Sequence, residues 1–501
     1  MYTKNDLQNA VKQIFADNML IVVSNREPYV HKVRDGKIIC GQPTGGAVAA
    51  LEPVMSACGG TWVAYGSGSG DKKTVDKKDH VAVPPGKPSY ILRRVWLSRE
   101  EEAGYYYGFS NKGLWPLCHI AYTRPEFNED EWRVYVDVNK KFCDAVLEEI
   151  GDKKAFVWIQ DYHLTLLPLM LKQARPELLV SHFWHIPWPN SEVFRICPKQ
   201  RQILEGLLAN DLLGFHIRYH CENFFDTVDK MLEARIDRER YSVVYRGHET
   251  LVRAFPISVD FNAISDRCGT SDIKRHARPL VEEYNLSGIE FIMFGLDRID
   301  YTKGIIERIE AVDNFLDKNP SFKGRLAFVQ VGDLSRIHLQ AYKDLNDKIN
   351  AVVERVNWKH ASEDWAPIVL VRRHLSSDEI MAFYRLANIC VVSSLHDGMN
   401  IVAKEYIASR PDGDGILLLS QFTGAARELT DAVTFNPFDA ESFVDNIKYA
   451  LEMPENERRR RMSSLREIVS EKNIYKWAGD MVSEFVKIQN TAAFPAGHKI
   501  I

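Results

Sequence analysis

The sequence predicts an α/β protein in two domains, each built on a parallel sheet with helices on both faces. Three observations carry this prediction. Short apolar runs of strand length alternate with helical patterns along nearly the whole chain; the most informative polar residues stand just after those runs; and 501 residues are too many for one hydrophobic core. In open sheets of this kind ligands sit beyond the carboxyl ends of the strands, which is where those polar residues fall.

In chain order, the first half holds strand-like runs at 20–23, 156–159 and 178–184, and the second half holds runs at 291–295, 327–331, 368–371 and 416–419. A boundary is expected near 255–260, where a strand ends and a polar stretch begins. This gives a first domain over 1–258 and a second over 259–472. The amphipathic pattern at 473–490, with Met481, Phe485 and Val486 at helical spacing, predicts a C-terminal helix, late enough to pack on either domain and expected to pack back on the first. Residues 491–501 read as a frayed tail.

Apolar residues make up 45% and charged residues 26%, the composition of a soluble globular protein. A formal net charge of -4 excludes a global basic field for nucleic acid or an anionic membrane. The run Arg458-Arg459-Arg460-Arg461 follows Glu455 and Glu457 in a helical stretch and reads as a solvated helix face. Eight cysteines are scattered, with no CxxC pair and no histidines at zinc-finger spacing, which favours reduced thiols and a cytoplasmic protein. The amino terminus lacks a basic segment followed by an apolar core, and no long apolar segment occurs. The expectation is a protein neither secreted nor membrane-spanning.

The loop from Leu296 to Gly304 follows an apolar run and precedes a helical pattern. Arg298 and Lys303, five residues apart, would converge on one anion together with the N–H groups and positive dipole end of the helix. A second strand-loop-helix unit follows: the run at 388–393, the loop Leu395-His396-Asp397-Gly398-Met399-Asn400, then the helical run Ile401-Val402-Ala403-Lys404-Glu405-Tyr406. Two such units in one half of the chain point to a nucleotide site. Asp412-Gly413-Asp414 has the form of a metal-binding DxD, but its Pro-Asp-Gly-Asp-Gly setting is explained by turn chemistry. With two cations available for a phosphate group, no metal is expected. Gly66-Ser67-Gly68-Ser69-Gly70 lacks the spacing and ensuing helix of a dinucleotide fingerprint, and reads as a flexible loop.

Several motifs occur in order: Ser24-Asn25-Arg26, Gly45-Gly46, Tyr106 with Phe109-Ser110-Asn111 and Leu114-Trp115-Pro116, Asp161-Tyr162-His163, His185-Ile186-Pro187, Asp297-Arg298 with Lys303-Gly304, Ser335-Arg336, Asp397 to Asn400 with Lys404-Glu405, and Phe422-Thr423-Gly424-Ala425-Ala426. By these motifs, over residues 20 to 490, the chain resembles the trehalose-6-phosphate synthase family, retaining glycosyltransferases of family 20. The resemblance implies the GT-B architecture, two Rossmann-like domains whose parallel sheets face a central cleft. It also implies transfer of glucose from UDP-glucose to glucose 6-phosphate, with no cofactor. Whether the protein forms a homo-oligomer stays open.

The resemblance assigns the donor site to Gly45, Gly46, Arg298, Lys303, Asp397, the backbone of Gly398, Met399 and Asn400, and Ile401, Val402 and Glu405. Arg298 and Lys303 would neutralise the diphosphate, Asp397 would hold the glucose, and Glu405 would accept from the ribose hydroxyls. The acceptor pocket would comprise Arg26, Tyr65, Tyr106, Trp115, Asp161 and Arg336, with the two guanidinium groups forking onto the 6-phosphate. Asp161 would orient the acceptor hydroxyl, and His185 would hydrogen-bond the donor sugar. With Arg298 and Lys303 these complete the expected catalytic set.

Two positions depart from the family pattern. Tyr65 stands where a tryptophan is usual, and Gln160 stands where a histidine often precedes the Asp-Tyr-His motif. Two alternatives accompany the main expectation: the same chemistry with another phosphorylated acceptor such as glycerol 3-phosphate, which these departures leave open, or a silent sugar-phosphate-binding subunit, since fold does not by itself fix activity. UDP, ADP and GDP donors are all compatible with these motifs.

Overall fold

The computed structural model describes residues 1–14, 18–42, 46–333, 336 and 338–493. The chain divides into two compact units, one formed by Tyr2–Ile257 together with the C-terminal helix, the other by Ser258–Asn473.

The N-terminal unit is built on a ten-stranded sheet. Its parallel centre contains, in spatial order, His248–Ala254, Leu212–Phe215, Leu179–Phe183, Ala155–Gln160, Met19–Ser24, Thr61–Tyr65 and Tyr90–Val95. Antiparallel strands close both edges, His80–Val83 beside Tyr90–Val95 and the meander Arg235–Asp237, Ser242–Tyr245 beside His248–Ala254. The central strands are buried on both faces, which is why they read as continuous apolar runs such as Leu20 to Val23 and Phe156 to Ile159 rather than as alternating ones.

A separate hairpin, Val30–Arg34 with Lys37–Gly41, turns on Asp35-Gly36, both at positive φ as a two-residue hairpin loop requires. The C-terminal helix Ile474–Ala493 belongs to this unit: Trp477 donates through Nε1 to the Phe255 carbonyl at 3.1 Å and packs on Trp158, while Phe485 packs on Phe156.

The C-terminal unit carries a six-stranded, wholly parallel sheet in the order Ile368–Val371, Leu326–Asp333, Phe291–Arg298, Ile389–Val392, Ile416–Ser420, Val433–Phe435. Numbered by chain order, these strands lie 3-2-1-4-5-6, the order of dinucleotide-binding folds. Met293, Phe328, Ile389, Val391 and Leu418 from the sheet bury against Ile309, Val312, Phe315, Val356, Phe443 and Ile447 from the helices. The six successive parallel strands of the N-terminal sheet beginning at Met19–Ser24 follow the same 3-2-1-4-5-6 order. In each unit the order reverses between the first and fourth of these strands: between Met19–Ser24 and Ala155–Gln160, and between Phe291–Arg298 and Ile389–Val392. Adjacent strands whose helices leave to opposite sides open a crevice at their carboxyl ends, and this topology positions the polar loops.

The segment Gly66 to Gly70, expected to be a flexible loop, is instead pinned by buried charge. Ser67 donates through N and Oγ to Glu27 Oε1 at 2.8 and 2.9 Å, and Gly68 N donates to Asp71 Oδ2 at 2.6 Å. Glu27 and Asp71 are both paired with Arg94, whose side chain is fully buried. A buried ionic cluster cannot let its hydrogen-bonded backbone wander without leaving charges unsolvated.

Candidate active site

In the C-terminal unit the loops after Phe291–Arg298 and Ile389–Val392 meet at the strand-order reversal. Lys303 Nζ lies 2.5 Å from Asp397 Oδ2, and that oxygen also accepts from Ser394 Oγ at 3.1 Å and Asn400 Nδ2 at 3.2 Å. Burial pulls the Lys303 pKa down, but the Asp397 and Asp297 carboxylates more than offset it, so the ammonium is held above its ordinary value.

Gly304 follows at φ +62, where a side chain would also collide with the Ser393 carbonyl. It opens the helix Ile305–Lys318 without a side-chain cap, leaving a helix start of the kind that receives phosphate. Arg298 reaches within 3.6 Å of Asp300 Oδ2.

Beneath these loops lies Arg308, 1% exposed. It donates through Nη2 to Asp297 Oδ2 at 2.7 Å and to the Lys303 carbonyl at 2.8 Å, through Nε to Ser393 Oγ at 2.7 Å, and through Nη1 to Gln330 Oε1 at 3.2 Å. Gly295 is required here, because a Cβ would occupy the place of the Arg308 guanidinium. The sequence reading missed Arg308. Its signal was Gln330, a lone amide inside the apolar run 327–331 that had to find a polar partner.

The second loop is stitched to a third. Asp397 N donates to the Phe422 carbonyl, Gly424 N to the Asp397 carbonyl, and Ala425 N to the Met399 carbonyl. Gly424 leaves no room for a side chain against Gly398. Asn400, at φ +83, caps the helix Ile401–Ala408 by accepting from Ala403 N, so both its backbone and its side chain shape the loop. On the same helix Glu405 accepts from the Tyr384 hydroxyl at 2.9 Å. Burial raises the Glu405 pKa, and that hydrogen bond only partly restores it. Ile401 and Val402 lie partly exposed in the first turn. The Asp412-Gly413-Asp414 carboxylates are engaged by arginines, Asp412 by Arg385 and Arg410 and Asp414 by Arg458.

In the N-terminal unit the loops after Met19–Ser24 and Ala155–Gln160 meet in the same way. Ser24 Oγ accepts from Trp62 Nε1 at 2.8 Å and donates to the Arg26 carbonyl at 2.6 Å, fixing the backbone from which Arg26 extends. The Arg26 guanidinium donates to the Tyr106 hydroxyl at 2.8 Å, and the Tyr106 ring stacks on His163 at 5.6 Å and 15°. Tyr106 lies on a π-helix, Glu102–Leu114, an uncommon conformation that recurs at functional sites. Asn111 on this helix donates through Nδ2 to the Tyr106 carbonyl at 2.6 Å and accepts from the Tyr162 hydroxyl at 2.9 Å, joining the two segments. Trp115, where the π-helix passes into Trp115–His119, packs on His119 and Tyr162.

Asp161 stands at φ +71, a costly conformation for a non-glycine residue. Its backbone N donates to the Phe183 carbonyl at 2.7 Å, its carbonyl contacts His182 Nε2 at 2.9 Å, and its Oδ1 accepts from His185 N at 3.3 Å. His185 Nε2 lies 2.8 Å from Gln160 Oε1, an arrangement that places the proton on Nε2. Burial, and then the neighbouring His182, push the His185 pKa down to about 3, so its imidazole is neutral at physiological pH. The amide at 160 thus meets His185 directly.

Tyr65 ends the strand Thr61–Tyr65, and its pKa is raised to about 12 by burial and by the hydrogen-bonded Glu102 carboxylate. Gly46 begins the helix Gly46–Cys58, whereas Gly45 lies outside the described residues. Arg336 belongs to the C-terminal unit, where it is buried at φ +53 and donates through Nη1 to the Tyr342 hydroxyl at 2.6 Å.

Glycosyltransferase family 20 matches residues 18–487 of this chain. A trehalose-6-phosphate synthase of Mycobacterium marinum is 36% identical over 483 residues, covering 95% of each chain. One from Mycobacterium tuberculosis is 37% identical over 475 residues, covering 93% of this chain and 94% of its own. Among solved structures, an α,α-trehalose-phosphate synthase (UDP-forming) from Burkholderia xenovorans in complex with glucose-6-phosphate superposes with a TM-score of 0.84 at 27% identity, covering 94% of this chain and 100% of its own. A trehalose-6-phosphate structure from E. coli bound with UDP-2-fluoro glucose gives 0.82 at 29% identity, covering 93% and 98%. With its two largely parallel sheets, its paired strand-order reversals and a match along nearly its whole length, the chain belongs to glycosyltransferase family 20.

Proposed function

We propose that the protein transfers glucose from UDP-glucose to glucose 6-phosphate with retention of configuration, giving α,α-trehalose 6-phosphate and UDP. The observation that carries this reading is the convergence of Lys303, Asp397 and the uncapped start of the helix Ile305–Lys318 at one strand-order reversal. It occurs in a chain whose relatives, matched over 93–95% of their length, are trehalose-6-phosphate synthases.

In this reading Arg298, Lys303 and the helix N–H groups receive the diphosphate. Asp397 accepts from the glucose hydroxyls, and Glu405, oriented by Tyr384, accepts from the ribose. Arg26 and Arg336 bind the phosphate of the acceptor, Tyr106 and Trp115 present aromatic faces to its ring, and Asp161 orients its anomeric hydroxyl. His185, neutral and held by Gln160, lends a polar contact to the donor sugar without competing for a proton.

The bond from glucose C1 to the diphosphate oxygen breaks while the acceptor hydroxyl bonds to C1 on the same face, and the acceptor proton passes to the departing phosphate oxygen. The protein's part is placement and stabilisation of charge on the leaving diphosphate. Incubating the purified protein with UDP-glucose and glucose 6-phosphate tests the reading. Stoichiometric UDP and a product with the mass of trehalose 6-phosphate and an α,α linkage by NMR are expected. Absence of that product, or a preference for a different phosphorylated acceptor, rejects it.

A further inference from the structure

Between Arg298 and Lys303 stands Asp300, to which no role has been given. Its side chain is fully buried, at the carboxyl edge of the C-terminal sheet. One oxygen, Oδ1, accepts from Thr302 N at 3.1 Å and Thr302 Oγ1 at 3.0 Å, capping the short turn Tyr301–Lys303 that carries Lys303. The other oxygen faces two guanidinium groups, with Arg336 Nη1 at 3.4 Å and Arg298 Nη2 at 3.6 Å, and accepts from the Tyr342 hydroxyl at 3.3 Å. Tyr342 in turn accepts from Arg336 Nη1 at 2.6 Å, closing a triangle of Asp300, Arg336 and Tyr342.

Arg336 sits outside any helix or strand, between Leu326–Asp333 and Gln340–His360, so its guanidinium is oriented by side chains rather than by a regular backbone. One buried carboxylate therefore stands against two cations and caps the turn bearing a third.

We propose that Asp300 is a positioning residue that holds Arg298 and Arg336 in fixed relation, so that recognition of the donor diphosphate and of the acceptor phosphate depends on one shared carboxylate. This rests on the functional reading above, in which Arg298 meets the donor and Arg336 the acceptor. A purely structural role would lower stability and leave the two arginines acting independently of residue 300. Shared positioning instead makes the effects non-additive, since removing the arginine removes the means by which Asp300 acts.

The test is a pair of mutant cycles in the full-length protein, with UDP affinity read by calorimetry and glucose 6-phosphate KM by steady-state kinetics. Asp300→Asn keeps the shape but loses the charge. It should weaken UDP binding and raise the acceptor KM, each by about tenfold, as expected for losing a charge-assisted contact. In an Arg298→Ala background the same change should leave UDP affinity within about twofold, and in an Arg336→Ala background it should leave the acceptor KM within about twofold. Effects that multiply in these backgrounds, or an Asp300→Asn protein with both constants unchanged, overturn the proposal.

If Arg298→Ala alone leaves UDP binding intact, or Arg336→Ala alone leaves the acceptor KM intact, the assignment of those arginines has failed and the proposal falls with it. That result is distinct from a failure of Asp300 alone. Should Asp300→Asn not fold, Tyr342→Phe serves in its place. It should raise the acceptor KM by about threefold with UDP affinity unchanged, as for one lost neutral hydrogen bond. An unchanged KM in that variant overturns the proposal.

Discussion

Lys303 and Asp397 are 94 residues apart in sequence, yet their charged groups lie 2.5 Å apart, each with only 14% of its side chain exposed. The 3-2-1-4-5-6 strand order makes this contact, because it sets the first and fourth strands of the C-terminal sheet side by side. The pair joins the loop expected to meet the diphosphate to the loop expected to meet the sugar. In the proposed cycle Lys303 keeps Asp397 as a partner and gains the diphosphate when donor binds.

Lys303→Ala should lower kcat by about 10²–10³, since the charge that grows on the leaving diphosphate would lose a preorganised partner. Arg298→Ala should act in the same sense. Steady-state rates within a few-fold of wild type in either variant would refute the assignment of these cations to the leaving group.

Arg308 should matter first for stability. Its guanidinium and the Asp297 carboxylate are both nearly inaccessible, at 1% and 5%, and Asp297 is held above its ordinary pKa by burial despite Arg308 and Lys303. Arg308→Met strands that carboxylate and should cost about 3–5 kcal/mol, whereas Arg308→Met with Asp297→Asn should cost much less than the sum of the single changes. Denaturant unfolding of the three variants checks this. Additive losses would mean that the two side chains do not act as a pair.

Much of the sheet architecture was legible in the chain, because strands buried on both faces leave long apolar runs. The run 20–23 lies within Met19–Ser24, 156–159 within Ala155–Gln160 and 416–419 within Ile416–Ser420. Arg298, Lys303 and Asp397 were visible because each follows such a run. What orients them was not visible. Asp300 reads as a turn residue and Arg308 as one more charge on a helix, and only tertiary pairing across 36 residues to Arg336 or 85 residues to Ser393 distinguishes them from surface groups. The π-helix at Glu102–Leu114 was equally hidden, since a wider turn held by i→i+5 hydrogen bonds over one buried segment leaves no recognisable apolar period. Gln160 was noted only as a departure; its contact with His185 gives the substitution a physical meaning.

Acid should destabilise the N-terminal unit through His182. This ring is fully buried, and burial lowers its pKa to about 3, against about 6.5 in an unfolded chain. Between those values the unfolded chain binds a proton that the native state excludes. The stability this neutral histidine permits is therefore complete above about pH 6.5 and declines toward pH 3, by about 1.4 kcal/mol per pH unit. Urea midpoints measured from pH 7.5 to 5 should fall more steeply in wild type than in His182→Gln. Equal slopes would show that His182 is not buried as a neutral ring.

The acceptor side offers the sharpest contrast between a charge and its support. Arg26 donates to the Tyr106 hydroxyl, and Tyr106 is fixed by Asn111 through its carbonyl and by stacking on His163. If Arg26 binds the acceptor phosphate, Arg26→Ala loses a charge-assisted contact worth about 1.5–3 kcal/mol, and the KM for glucose 6-phosphate should rise by roughly ten- to hundred-fold. UDP affinity should stay nearly unchanged, because Arg298, Lys303 and Glu405, the groups assigned to the diphosphate and ribose, belong to the other unit. Tyr106→Phe keeps the ring and removes only the hydroxyl that steadies Arg26, so it should raise the same KM by about three- to tenfold, the scale of one hydrogen bond. Unphosphorylated glucose should be a poor acceptor for wild type, and Arg26→Ala should narrow the gap between the two sugars. Acceptor kinetics with both sugars, alongside UDP calorimetry, decide the matter. If UDP binding weakens as much as acceptor use, or if free glucose already serves as well as its phosphate, Arg26 does not hold the phosphate and the proposed product is wrong.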